Sequence, residues 1–408
     1  MTKPLTYIDL FAGAGGLSEG FIRAGFNPIA HVEMDENACD TIKTRLLYHH
    51  LVKENKEDIY KKYLLKEINR EKLYQNDPDR LLDSVINTEI TKETINDVFE
   101  KIDRQIRKKQ VDVIIGGPPC QAYSLIGRSR DPNRMAFDKR NFLFEYYAEF
   151  LKRYKPQYFV FENVTGLLTA SDYLNRMIEL FQSKEVGYTV EYQTLNASNF
   201  GVLQNRKRVI IIGKLGNTSF KYPDFEKKIH NWTIKPHLFN DLPFLKPGDE
   251  HDFIDYSNET SDYLNESAIR NGLPFVTQHI SRPHNKRDLE IYKIAIEKWL
   301  NEGKRLHYNE IPESLKTHKN EKSFLDRFKV VDPNGVSHTL VAHIAKDGHY
   351  YIYPDLNQIR SISVREAARI QSFPDDYYFE GGRSAAFKQI GNAVPPLLAF
   401  AIATIIYK

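Results

Sequence analysis

The sequence predicts an α/β fold: a doubly wound sheet with covering helices, joined to a smaller irregular domain. Three observations predict it. Short apolar, β-rich runs alternate with longer helical patterns over the first half of the chain. Three of these runs end in glycine-rich or polar sequence, at the strand ends where open α/β sheets bind ligands. From about residue 213 to 360 the alternation stops, and the chain becomes rich in His, Asn, Pro and aromatics.

A length of 408 residues leaves room for two or three domains, and 41% hydrophobic content can fill a sizeable core. Cys39 and Cys120 are the only cysteines. That excludes a disulfide framework and a multi-cysteine zinc site, and points to a reducing compartment. The N-terminal MTKPLTYIDLFAGAGG lacks the apolar core of a signal peptide. No uninterrupted apolar run approaches membrane-spanning length, so a soluble, cytoplasmic protein without a membrane partner is expected. The net charge of +3 permits a nucleic-acid partner without requiring one.

In chain order, 6–11 (TYIDLF) reads as the first strand, followed by a glycine turn, a helix near 18–25 and a second strand ending at Glu33. Between 46 and about 96 the chain is densely charged, with Tyr60, Leu64 and Ile68 at helical spacing, and a surface helical insertion is expected. The strand 111–115 (VDVII) runs into GGPPC, and 158–161 (YFVF) runs into Glu162-Asn163-Val164. A fourth run, 209–212 (VIII), follows the basic QNRKR. The predicted units are therefore a first domain over 1–213, a second over 214–360, and a returning segment over 361–408. The apolar end of that segment, 397–407, should pack back on the first domain.

Asp9-Leu10-Phe11-Ala12-Gly13-Ala14-Gly15-Gly16-Leu17-Ser18 places glycines just after a strand, where they permit a tight turn and close approach of a ligand. Glu33, at the end of the next strand, has the spacing of a ribose-binding acid. Alone, such a turn is only a turn. Its departure from a strict dinucleotide fingerprint favours a nucleoside without a pyrophosphate, and so S-adenosylmethionine over NAD.

The most specific signal is Gly116-Gly117-Pro118-Pro119-Cys120. Free cysteines are usually buried and inert, and Cys39 is read that way. Cys120 differs because it follows a buried strand, two glycines and two prolines, whose fixed φ holds the thiol in one direction. A nucleophilic cysteine must reach its thiolate form, and a rigid, partly exposed turn near cations serves that need.

DLFAGAGGLS, GGPPCQAYS, ENV, QNRKR, REAARIQSFP and QIGNAVPP together resemble the ordered motifs of the C5-cytosine-specific DNA methyltransferases, from Asp9 to Pro396. The resemblance implies an S-adenosylmethionine-dependent, Rossmann-like domain with a target-recognition domain over 214–360. It implies that Cys120 adds to C6 of a cytosine flipped from the duplex. Glu162 would hydrogen-bond N3 and the amino group, and Arg208, more loosely Arg206, would hold the base or the catalytic loop. Covalent addition makes C5 enamine-like, replacing one difficult step by easier ones. Around the cofactor the resemblance places Phe11, Gly13, Gly15, Gly16, Leu17, Glu33, Pro119 and Asn392. The family's acidic residue after the third strand is blurred by the insertion; Glu89 is the first candidate and Asp97 the second.

On the DNA side the resemblance implies contacts from Gln121, Ser124, Arg128, Arg130 and Gln204. Arg134, Lys139 and Arg140 extend the loop that closes over DNA in the family, and these cations suit phosphates. The segments 276–288 and 337–355 mix donors and aromatics suited to groove contacts. Seven of the thirteen histidines fall between His279 and His349, without the spacing of a metal site. The implied protein is a prokaryotic modification enzyme, monomeric and acting on double-stranded DNA, either solitary or paired with a cognate restriction endonuclease for the same site. Two rivals are a tRNA cytosine methyltransferase of the same fold and a catalytically silent DNA-binding regulator. The eukaryotic tRNA branch carries a Cys-Phe-Thr triplet, which neither cysteine here begins. A silent regulator has no chemical need for Cys120, Glu162 and the glycine turn together.

Overall fold

Strands rich in Val, Ile and Phe assemble one sheet in a computed structural model that describes residues 3–107, 109–119, 142–216, 219–228, 231–317 and 325–407. β1 (Thr6–Leu10), β2 (Asn27–Glu33), β3 (Val85–Asn87), β4 (Val113–Gly116) and β5 (Tyr158–Val164) are parallel. β6 (Tyr188–Asn196), the short β7 (Gln204–Asn205) and β8 (Lys207–Leu215) follow, with β8 antiparallel to both β5 and β6. The seven strands run in the order β3-β2-β1-β4-β5-β8-β6. The chain therefore winds outward in opposite directions from β1 and β4, which makes their carboxyl ends the switch point of the sheet.

The helices α1 (Gly16–Arg23), α2 (Glu36–Lys53), α5 (Ile95–Ile106), α6 (Leu143–Tyr154) and α7 (Ser171–Gln182) cover this sheet, while α3 (Glu57–Leu64) packs on α2 and α4 (Arg70–Tyr74) on α3. Alternation along the strands divides the core. Ile8, Leu10, Ile114 and Phe159 join Val98, Tyr147 and Phe181 on one side. Tyr7, Val113, Ile115 and Val160 join Leu17, Phe21, Leu398 and Ile402 on the other.

The expected surface insertion needs correcting. It contains β3 and much of α2, and its Tyr60, Tyr63, Leu64 and Leu73 are buried against Leu273, Phe275 and Tyr378. Its apolar spacing was a true signal whose partner surface lies far along the chain.

Within 214–360, β9 (Glu250–Asp255) pairs antiparallel with β10 (Phe275–Ile280), accompanied by α8 (Asp262–Glu266) and α9 (Lys286–Glu302). β11 (Ser337–His338) pairs with β7. The returning segment forms α10 (Val364–Ile370), α11 (Arg383–Asn392) and α12 (Pro396–Tyr407). Ile234, Leu238, Val276 and Tyr353 share one core with Val364, Ala368, Phe387 and Ile390, so the segment 361–408 completes the core of the preceding 214–360 region. The stretch Arg383–Tyr407 is long and apolar enough to cross a membrane, but two-thirds of its most apolar window, 67%, is buried inside the protein. A Cβ on Gly20 would lie 2.4 Å from that of Ala399, so glycine is what lets α1 and α12 touch.

Candidate active site

The carboxyl ends of β4 and β5 converge on Glu162. Leu10 and Gly116 are register partners, so the turns after β1 and β4 leave the sheet side by side. A Cβ on Gly116 would stand 2.4 Å from the Leu10 carbonyl oxygen, and one on Gly117 would stand 2.8 Å from Oε2 of Glu162. Gly116 is thus required by backbone contact, and a side chain at Gly117 would push against the Glu162 carboxylate. Oε1 of Glu162 lies 2.8 Å from Nε of Arg208, and Nη1 of Arg208 donates to the Lys207 carbonyl. Burial works against the Arg208 charge, and Glu162 supports it. Pro118 is buried and Pro119 exposed. Cys120, Gln121, Ser124, Arg128, Arg130, Arg134, Lys139 and Arg140 lie outside the described residues.

Beside this edge, Phe11, Gly13 and Gly15 take positive φ of 56°, 55° and 74°. The Gly13 N–H donates to Oε2 of Glu33 at 2.8 Å, and the Met34 and Asp35 N–H groups donate to Oε1. A carboxylate offers about four acceptor sites, so one remains for a ligand hydroxyl. A Cβ on Gly13 would meet nothing within 4 Å, which leaves open space over the turn. Met34, 60% exposed next to Glu33, adds an apolar surface that sequence reasoning passed over. Its signal was a bare hydrophobic side chain directly after the strand-end acid.

Glu89 is exposed just beyond β3, whereas Asp97 is paired with Lys101 at 2.7 Å. Gly16 and Leu17 sit behind the turn. A Cβ on Gly16 would lie 2.2 Å from the Val394 carbonyl, and Leu17 belongs to the core, so both shape the turn from beneath. Asn392 is exposed at the end of α11, and the following Ala393-Val394 rests on Gly16; QIGNAVPP therefore does return to the first motif. Asp9 is fully buried, with both carboxylate oxygens unpartnered among the described residues. Burial, with the Glu33 charge added, pushes its carboxyl well above the usual range. Burial and Glu33 likewise push the Cys39 thiol up to about 12, which suits an inert cysteine.

Other residues have jobs different from those expected. Gln204 is fully buried; its amide donates to Ile370 O and Gln371 Oε1 and accepts from Leu340 N. Arg206 is also buried, donating to the carbonyls of Leu340 and Gly391, so it clasps the 214–360 region to the segment 361–408. Much of 276–288 and 337–355 also points inward. Gln278 exchanges two hydrogen bonds with the Phe379 backbone, His279 bonds Ser363 and the Pro243 carbonyl, and His338 bonds the Tyr350 carbonyl. No group of His, Cys, Asp and Glu among the described residues could hold a metal.

The sequence profile of the C-5 cytosine-specific DNA methylases matches residues 5–85 and 62–408. The chain belongs to the C5-cytosine-specific DNA methyltransferase family. Type II methyltransferase M.Bpa9945I of Bacillus paralicheniformis is 44% identical, with 97% of each chain covered. Type II methyltransferase M1.HphI of Haemophilus parahaemolyticus is 33% identical, over 99% of this chain and 87% of the relative. The fold matches a crystal structure described as a candidate DNA modification methyltransferase from an E. coli prophage, with a TM-score of 0.63 and 24% identity over 99% and 98% of the two chains. The protein is a DNA cytosine C5-methyltransferase that draws on a methyl donor. Such an enzyme must bring its donor and its target ring to one place, and the adjacent turns after β1 and β4 provide two neighbouring sites.

Proposed function

We propose that this methyltransferase acts on a cytosine flipped from a specific duplex sequence, uses S-adenosylmethionine, and bonds its Cys120 sulfur transiently to C6 of the base. The observation that carries the reading is the seating of Gly117 against the Glu162 carboxylate, a few residues ahead of Cys120. Glu162, aligned by Arg208, faces the N3 and amino edge of the base and favours addition at C6. Addition makes C5 nucleophilic. Loss of the C5 proton and rupture of the C6–S bond then restore the aromatic ring and free the thiolate.

S-adenosylmethionine, when bound, supplies an electrophilic methyl carbon attached to a sulfonium. The turn fits it: Glu33 keeps an acceptor site for the ribose, Gly13 leaves open space, and Met34 offers apolar surface to the adenine. Glu89 rather than Asp97 faces the adenine amino group, because Asp97 is taken by Lys101. Pro119 and Asn392 border this site. Arg128 and Arg130, with the other loop cations, contact phosphates. The residues of 214–360 select the sequence. The Type II relatives support a restriction–modification role. In this reading the protein works as a monomer in a prokaryotic cytoplasm, beside an endonuclease for the same site.

The test offers purified protein labelled S-adenosylmethionine with duplex DNA and with tRNA, and maps methylcytosine by bisulfite sequencing in expressing cells. Label should enter DNA at one recurring sequence context. Label entering only tRNA, or no recurring context, would overturn the reading.

A further inference from the structure

Residues 375–380 (DDYYFE) tie together parts of the chain that are distant in sequence. Asp375 accepts from Arg369, which also holds Asp241, and from Tyr256, and the Phe379 backbone exchanges two hydrogen bonds with the Gln278 side chain. Asp376 accepts from Arg45 of α2 through its carboxylate and from Tyr60 of the insertion through its carbonyl. Glu380 accepts from Thr44 and Tyr63. In the middle stands Tyr377. Its carbonyl is held by Arg365, and its ring lies between Phe373 and the Arg45 guanidinium, 4.7 and 4.9 Å between centres. Its hydroxyl donates to the Ala14 carbonyl at 2.5 Å.

Ala14 lies between Gly13 and Gly15, both left-handed, and the Gly15 N–H of the peptide that carries the Ala14 carbonyl donates to the Ala12 carbonyl at 2.9 Å, so the Tyr377 hydroxyl holds the other end of that same peptide. A Cβ on Gly15 would sit 2.9 Å from the same hydroxyl. We propose that Tyr377 is a positioning residue whose hydroxyl fixes the orientation of the 13–15 peptides, and that the insertion helices brace it there through Tyr60 and Asp376. The proposal rests on the reading that this turn holds S-adenosylmethionine.

The experiment measures steady-state kinetics of the full chain with duplex DNA, and S-adenosylmethionine affinity by calorimetry. Tyr377→Phe removes one hydroxyl and keeps the packed ring. KM and Kd for S-adenosylmethionine should rise about five-fold, the effect of one hydrogen bond of ordinary net strength. At saturating donor kcat should stay within about two-fold, and DNA affinity should not move. A purely structural role would lower the thermal midpoint and the active fraction, and so kcat, with KM unchanged. Tyr60→Phe, which deletes only the donor to the Asp376 carbonyl, keeps the test open if the first variant folds poorly; a smaller rise in KM is expected. Unchanged KM in the folded variants overturns the proposal. Glu33→Gln separates the two failures: if it weakens donor binding and Tyr377→Phe does not, the positioning role alone is wrong, and if neither does, the turn is not the donor site.

Discussion

Nε of Arg208 stands 2.8 Å from Oε1 of Glu162, with only 10% and 12% of the two side chains exposed. The same guanidinium holds the Lys207 carbonyl through Nη1, so its two contacts fix the direction of the carboxylate. A lysine has one nitrogen and cannot hold both in this geometry. Arg208→Lys should lower kcat/KM for DNA by roughly 10- to 100-fold, the range for a lost charge-assisted hydrogen bond. S-adenosylmethionine affinity should stay as it was. Equal kcat/KM in steady-state assays would mean the pair does not serve the base.

Gly117 supplies the other constraint on Glu162. A methyl group there would press on Oε2 at 2.8 Å, closer than real Cβ contacts allow. Gly117→Ala should therefore displace the carboxylate and cut kcat more than ten-fold, while the thermal midpoint moves little. The check is kinetic assay beside a thermal melt, and a fully active variant would show that the carboxylate has room to move.

Glu33 accepts three backbone N–H groups and so both shapes and lines the glycine turn. Glu33→Ala should weaken S-adenosylmethionine binding by at least ten-fold, since a hydrogen bond to a charged group contributes about 1.5–3 kcal/mol. Calorimetry on the folded variant reads this directly, and unchanged affinity removes Glu33 from the site.

The parallel strands and their ligand-facing ends were legible because period and punctuation coincide: apolar runs stop at Gly13, Gly117 and Glu162. The inner face of the insertion was not. Tyr60 and Leu64 have helical spacing, but charge dominates their neighbourhood, and the surfaces they bury against, Phe275 and Tyr378, are remote in sequence. Gln204, Gln278 and His279 misled for a related reason. A donor in irregular sequence looks like a base reader until its partner is known, and here the partners are backbone and side-chain groups from other segments. Such partners leave no local pattern. Cys120 and the loop after it were legible only through the motif, and their structure lies outside the described residues.

Buried histidines make stability depend on mild acid. Burial lowers His279, His284 and His338 to about 4 each, against an unfolded value of about 6.5. Between these values the unfolded chain binds more protons than the folded one, so stability is full above about pH 6.5 and falls as pH drops toward 4. Asp9 acts in the opposite sense, because burial keeps it protonated in the folded state. Comparing wild type with His279→Gln cancels that contribution. Urea unfolding at pH 7.5 and 5 should show wild type losing stability with acid and the variant losing less. Identical pH slopes would mean that His279 titrates normally.

The last prediction concerns Cys120, which follows Pro118-Pro119 in the sequence. If its thiolate adds to C6, the enzyme cannot leave until the C5 proton has been removed. Fluorine at C5 cannot depart as a proton, so 5-fluorocytosine at the target should hold protein and DNA in a complex that survives denaturation. The complex should form only with S-adenosylmethionine present, because elimination is blocked after the methyl has reached C5. Cys120→Ser should abolish trapping and turnover, a hydroxyl being far harder to ionise than a thiol, yet DNA should still bind through phosphate contacts. Cys39→Ser should trap normally, since that thiol is buried, held near 12, and donates to the Glu33 carbonyl. Denaturing gels with labelled duplex read the wild type and both variants. Trapping by Cys120→Ser, or trapping lost with Cys39, would move the nucleophile elsewhere.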